Sequence, residues 1–527
     1  MSLPEEPSQL NRVSNPVTIH QPKTDWTFQV YRQGQNLYQS LHKLDSGGKE
    51  MFRIVYKLEY VIGSGLNGQS YLVRRDGALF QAPLSYYSRA AQWDFSPGFE
   101  SSPVGFNRPI LPACLACHSG RANPVPQKIG FYQEPAFSEL AIGCENCHGP
   151  GELHVSERAR GLEAPKTGDL TIVNPKRLPG WLADNICMHC HQTGDTRVLN
   201  PGKDLSDFRP GTPLNDTLGI FRAPYRRESP PDDDLLEHYS SMVLSRCYQQ
   251  TKGQLSCISC HSPHSEPGPE DRAAYFRDKC LGCHTRQSCS VAPSQRRQAQ
   301  DDCAACHLPK RVVKTIAHSA LTNHRILARQ GQALPEVAFQ PSKGLPAVVH
   351  VNAVPGQEQR PVPLLTQLQV YGELLSQEPE YQTRYLAVLE SLSGTASEHP
   401  LVLSALARKA KLEGTPDGDR RTLELLSKAI SLGTTSVTDF QDLADLHARA
   451  GKRDEAIDVL RQGIALAPFN AGLYKALALQ YIQGEHYLKA LEIMRRYLTI
   501  FPEDEFMRQL LLQAERAPMP QGSPPAH

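Results

Sequence analysis

"GCENCHGPGELH" occupies residues 143–154, and its reading decides how the rest of the chain is understood. Cys144 and Cys147 have two residues between them, His148 follows at once, and His154 comes six residues later behind Gly149, Pro150 and Gly151. The same Cys-x-x-Cys-His unit recurs with Cys114, Cys117 and His118, with Cys187, Cys190 and His191, and with Cys257, Cys260 and His261. It recurs again with Cys280, Cys283 and His284 and with Cys303, Cys306 and His307, so the chain carries six copies. All 14 cysteines of the 527 residues lie between Cys114 and Cys306. A disulfide scaffold belongs to short secreted chains, so this clustering marks a site.

The spacing has a chemical logic. Two thiols at i and i+3 reach the two vinyl groups on one edge of a haem and form thioethers, and the next residue supplies the proximal imidazole. Zinc also uses Cys pairs, but it needs two pairs per ion and has no use for a trailing His in every copy. A thioredoxin-like redox pair belongs in a βαβ pattern, which is missing here. The motifs predict six covalently attached haems c. Cys247 and Cys289 lie outside them and read as free thiols, with a disulfide between them as the alternative.

An iron with two protein ligands is closed and serves to move electrons, whereas one with a single ligand can take a substrate. Thirteen histidines lie outside the proximal positions. His399, His447, His486 and His527 have no cysteine nearby, and His350 sits in a Pro-rich connector. His189 is inside its own motif, "CMHCH", and His42 is in a β-like run. The remaining His20, His154, His238, His264, His318 and His324 are the candidate distal ligands. In "CHGPGELH" the Gly-Pro-Gly turn carries His154 away from its own haem, and Pro263 does the same for His264 in "CHSPH". Ligands shared between segments would pack the porphyrins closely.

Length implies more than one domain. The formal net charge of +1 gives no reason to expect a nucleic-acid partner. Alternation in "DWTFQVY" and "MFRIVYKLEYVI", with turn signals "SGG" and "RDG", predicts a β-rich unit over residues 1–106. Within it Gly63, Gly65 and Gly68 match a dinucleotide fingerprint, but a hairpin pattern follows where a helix is required, so a glycine-rich turn is expected. A loop- and helix-rich multihaem cytochrome c core is expected over 107–330 and a Pro-rich linker over 331–363. Residues 364–515 read as an all-α tetratricopeptide solenoid. At a 34-residue offset Leu443/Leu477, Ala444/Ala478, Ala456/Ala490 and Pro468/Pro502 fall in register, as do His447/Tyr481 and Leu460/Met494. "LLSKAISLG" at 425–433 reads as the end of a degenerate earlier copy. Such repeats present a concave surface to other proteins, so partner docking is expected there. Residues 516–527 read as a disordered tail.

The motifs "YVIGSGLNGQSYL", "WDFSPGFE", "GCENCHGPGELH", "CISCHSPH", "CHLPKR" and "AHSALTNH" give the chain a resemblance to multihaem c-type cytochromes with a C-terminal tetratricopeptide region. The haem half is similar to that of hydroxylamine oxidoreductase and of the tetrahaem cytochrome that accepts its electrons. The resemblance implies bis-histidine haems, electron transfer to redox partner proteins, and His154 and His264 as distal ligands. It also implies one more motif ending just before "MSLPEEP", with a secretory leader ahead of it; the alternative is that the numbering omits a cleaved leader alone. Attachment of c-type haem takes place outside the cytoplasm, so a periplasmic or extracellular location is expected, and no run is long enough to span a membrane. The alternative is a multihaem oxidoreductase acting on a small nitrogen or chalcogen compound at one open haem. No Cys-x-x-Cys-Lys variant marks such a haem, which favours transfer. A homo-oligomer, or a polymer sharing ligands between subunits, stays open.

Overall fold

The computed structural model describes residues 1–516 apart from 101–103, 167, 226–236, 313–317, 319, 340–344, 346 and 359. The expected tail thus lies outside the described residues, save Arg516. The architecture is mixed, with a β-rich N-terminal region and a helical C-terminal region. Among the described residues no helix is long and apolar enough to cross a membrane.

The N-terminal strands are β1 (Val17–Gln21), β2 (Trp26–Gln33), β3 (Asn36–Leu44), β4 (Glu50–Ile62), β5 (Ser70–Arg75) and β6 (Ala78–Gln81), joined in order as one antiparallel sheet. A hairpin, β7 (Leu84–Tyr87) with β8 (Gln92–Phe95), follows. Period-two alternation explains the buried face: Trp26, Phe28 and Val30 on β2 are buried, and the residues between them are half-exposed. The β5–β6 turn places Asp76 at φ 50° and Gly77 at φ 81°, the left-handed pair a two-residue hairpin needs. The glycine triplet is a loop between β4 and β5, which pair antiparallel through Ile62 and Ser70. A Cβ on Gly63, at φ 108°, would stand 2.7 Å from the Gly68 carbonyl oxygen. These glycines serve a tight turn, and a strand stands where a phosphate-binding helix would begin.

The C-terminal helices form antiparallel pairs: Pro400–Lys411 with Pro416–Ser431, Val437–Arg449 with Arg453–Leu466, and Ala471–Gln483 with Tyr487–Ile500, followed by Glu505–Arg516. Val437, Ala471 and Glu505 open successive first helices at 34-residue intervals. Leu443, Leu477, Ala444, Ala478, Ala456, Ala490, Leu460 and Met494 are all buried, as the register requires. Ala429, in the degenerate copy, is also buried.

The chain divides into two compact units, one of residues 1–140 with those from 386 on, the other of Ala141–Tyr385. This differs from the division expected from composition, for a reason visible in the first unit. The repeats pack on the sheet. Phe469 lies 4.7 Å from the Phe80 ring and 5.6 Å from Phe131. Arg75 stacks over Phe469 at 4.6 Å and donates to the Ile500 carbonyl at 3.2 Å. Lys43 meets Glu505 at 2.6 Å, and Asn107 donates to Glu503. Sheet and repeats therefore share apolar surface, and the first Cys-x-x-Cys-His motif lies in their unit.

The second unit holds the other five motifs. Its core includes Ile186, Met188, Phe208, Leu214, Leu218 and Ile220. Thr196–Leu199, Leu218–Arg222 and Val349–His350 form a three-stranded sheet. Part of the expected linker is thus a strand, held because Asn352 bridges the Leu218 carbonyl and the Ile220 amide. Helix Leu364–Leu374, expected in the solenoid, packs here instead: Thr196 donates to Glu373.

Candidate functional site

Each motif is built as a short helical turn. Helix Pro112–His118 has proline in its first turn, where a missing N–H costs nothing. It carries Cys114, which is exposed, and Cys117, which is half-buried. Asp302 caps Cys303–His307 by accepting from the Ala305 amide, and Ser256 caps Cys257–Cys260. The amides of His148, His261 and His284 donate to the carbonyls of Cys144, Cys257 and Cys280 at 2.9, 3.0 and 2.9 Å. In the fifth motif Cys280 is half-buried near the end of helix Arg272–Leu281. Cys283 is exposed, and its amide donates to the Cys280 carbonyl at 3.1 Å. The turn sets both thiols and the imidazole along one side, the disposition thioether attachment requires. None of the 14 cysteines is in a disulfide, Cys247 and Cys289 included.

Three proximal histidines have a second imidazole opposite them. His148 and His264 have ring centroids 5.8 Å apart, His191 and His238 5.7 Å, and His261 and His324 6.1 Å. Two imidazoles on opposite sides of one metal ion, each bound at about 2 Å, hold their centroids roughly 6 Å apart. The donors therefore fit a haem iron between each pair. Among the described residues no three of His, Cys, Asp or Glu converge as a zinc tetrahedron requires. The rings of His238 and His324 also touch each other, with centroids 3.9 Å apart.

Hydrogen bonds orient several rings. The Val173 carbonyl faces His148 Nδ1 at 2.7 Å, and the Thr322 carbonyl faces His324 Nδ1 at 3.0 Å. The Leu327 carbonyl engages Nδ1 of His307 in the same way. A carbonyl on Nδ1 fixes the tautomer and leaves Nε2 as the metal-facing nitrogen. His154 Nδ1 meets Asp169 Oδ2 at 2.8 Å, and hydrogen bonds from Thr171 hold Asp169 down to about 2. Burial, then the neighbouring imidazoles of His324, His191 and His261, holds His238 down to about 3. Burial likewise lowers His324 to about 4. Neutral imidazole is the form that ligates iron.

The other candidates stand apart from these pairs. His154 is on helix Glu152–Ala159, entered through Gly149 at φ 72°. His318 is exposed, with a left-handed backbone at φ 53°. His20 is on β1 in the first unit, exposed, with Nε2 3.6 Å from Asp25. Proximal His118 is in that unit as well. The structure sets a second histidine ring opposite three of the six proximal ones. His20 and His154 each turn a ring nitrogen to a carboxylate.

The thiols of different motifs also meet. Cys187 and Cys257 stand close enough to perturb one another, as do Cys280 and Cys303. Sequence reading missed the ring-orienting carbonyls, Asp169 and these thiol contacts. Apart from Thr322, these partners stand 15 or more residues away and leave no local pattern.

Residues 250–288 match the family described as "Doubled CXXCH motif", a span that holds the motifs beginning at Cys257 and Cys280. This match indicates covalent binding of c-type haem. No curated protein matches the chain. Solved structures similar to part of it include MamA, at 21% identity over 29% of this chain and 82% of that one, with a TM-score of 0.25. TTC0263, a thermophilic TPR protein of Thermus thermophilus, is 20% identical over 29% of this chain and 90% of its own, with a TM-score of 0.21. The TPR2B domain of yeast Sti1 is 22% identical over 21% of this chain and 98% of its own, with a TM-score of 0.19.

Proposed function

We propose that the chain is a multihaem c-type cytochrome that carries electrons through closely packed bis-histidine haems, one at each of the six motifs. The observation that carries this reading is the row His191, His238, His324, His261, in which two facing pairs meet through rings 3.9 Å apart. Bound haem supplies iron that cycles between ferric and ferrous states. The protein's own residues fix where this happens: the cysteines tether, the proximal histidines define one face, and His264, His238 and His324 close the other. Closure of both faces leaves an iron no position for substrate, which favours transfer over catalysis. The thiol contacts between motifs support close packing. The resemblance to the hydroxylamine oxidoreductase and tetrahaem cytochrome group agrees with it. His154, His318 and His20 are proposed to close further irons, and the repeats to dock redox partners. Maturation of c-type haem places the protein in the periplasm or outside the cell.

Electron paramagnetic resonance of the oxidised protein tests the reading. All haems are expected to be low-spin. A substantial high-spin signal that responds to nitrite or hydroxylamine would overturn it in favour of an oxidoreductase.

A further inference from the structure

Asp184 lies on helix Gly180–His191, one turn before Cys187, and is 1% exposed. It accepts a hydrogen bond from the Cys257 amide at 2.9 Å, so one carboxyl joins the helix that carries the third motif to the turn that opens the fourth. Burial raises this carboxyl above its ordinary value, and donation from Cys257 opposes the rise. The titratable groups that face it are Cys187 on its own helix, Cys257 on the turn and Tyr239 on helix His238–Val243. None of these is a cation, and no lysine or arginine among the described residues offsets the charge. A buried carboxylate without a counter-charge is strongly disfavoured.

The setting supplies a counter-charge in one oxidation state alone. Thioether formation consumes the Cys257 thiol but leaves its amide, so the hydrogen bond to Asp184 Oδ1 is compatible with haem attachment. An iron–porphyrin core closed by two neutral imidazoles is positively charged when ferric and neutral when ferrous. His261 and His324 are the imidazoles placed to close the core that Cys257 tethers. Ferric iron there offsets an ionised Asp184, and reduction withdraws the offset.

We propose that Asp184 couples reduction of the haem position defined by Cys257, Cys260 and His261 to the uptake of a proton. One electron from a redox partner reduces the iron, and one proton from water binds the Asp184 carboxylate, so the net charge of the site is unchanged. The inference rests on the haem reading above and adds a proton to the electron that the site moves.

The test uses the full chain matured in an export-competent host, with D184N and D184E variants. Denaturing mass spectrometry of peptides first shows which motifs carry haem. A fourth motif without haem would defeat the haem reading itself, so the two failures are separable. Optical redox titrations then follow each transition at a series of pH values. One wild-type transition is expected to fall in midpoint potential as pH rises through the carboxyl's titration and to be level on either side, because the reduced site holds the proton more tightly. D184N, neutral throughout, should keep that transition at its acid-side potential at every pH. D184E retains a carboxyl and should retain the slope, which a merely structural role would not predict. H324A should displace the same transition, since His324 faces His261. A wild-type protein with no pH-dependent transition would overturn the proposal whether or not D184N folds. A slope kept in D184N would assign the proton to another group, and a slope at a transition that H324A leaves in place would overturn the placement at this haem.

Discussion

His238 and His324 show what single side chains contribute to this centre. Both rings are half-buried and held neutral by their surroundings, and each faces a different proximal histidine. Replacing His238 with Ala leaves His191 without an opposite ligand, so one new high-spin haem is expected and one midpoint potential should rise, because an imidazole that stabilises ferric iron is gone. His324→Ala should do the same at the haem of His261. Resonance spectra of the two variants check this, and spectra unchanged from the wild type would contradict the ligand assignment. The motif residues, Cys117 and Cys283 as much as the rest, were legible because covalent attachment demands a fixed local spacing. Distal ligands were legible only as candidates, because a second imidazole arrives from any distance along the chain. His264 reaches His148 from more than a hundred residues away, whereas His20, equally eligible by composition, faces Asp25 on a strand.

The repeat helices were readable because small residues recur where helices touch. Gly463 is an instance. A Cβ there would stand 3.1 Å from both Leu473 Cδ2 and Phe440 Cβ. Gly463→Leu should therefore overpack the contact and cost on the order of 1–3 kcal/mol. Thermal unfolding measures this, and an unchanged or higher midpoint would show that the helix pair has room to give. The glycine-rich turn was readable for a related reason: the residues after it alternate as a strand does, which excludes a helix. The short strand Val349–His350 was not readable. Two residues carry no period, and their pairing depends on Asn352 reaching across to Leu218 and Ile220.

At the scale of the molecule, residues 364–515 read as a solenoid set apart from the β-rich unit by the cysteine-rich stretch and a linker. Composition cannot show that β-rich and helical segments separated by more than two hundred residues share a core. The contact between them contains a buried carboxyl. Burial raises Glu503 to about 7 from an ordinary 4.5, with Asp504 adding to the shift and Arg75 and Arg508 opposing it. The folded state thus holds this proton more tightly than the unfolded chain does. Stability from this group is greatest in acid and falls as pH rises from 4.5 to about 7. Glu503→Gln should remove that slope, and unfolding midpoints on either side of the window would show it. An identical slope in the variant would place the titration elsewhere. Deleting the residues after 385 should likewise expose the sheet of residues 1–140 to limited proteolysis, whereas unaltered resistance would mean that the sheet stands alone.

The central claim is that every Cys-x-x-Cys-His motif carries a thioether-linked haem. Intact mass spectrometry under denaturing conditions, on protein matured in an export-competent host, tests it most directly. The account predicts a mass gain of six haems on the 527-residue chain, one for each motif. A smaller gain with the full maturation machinery present would contradict it.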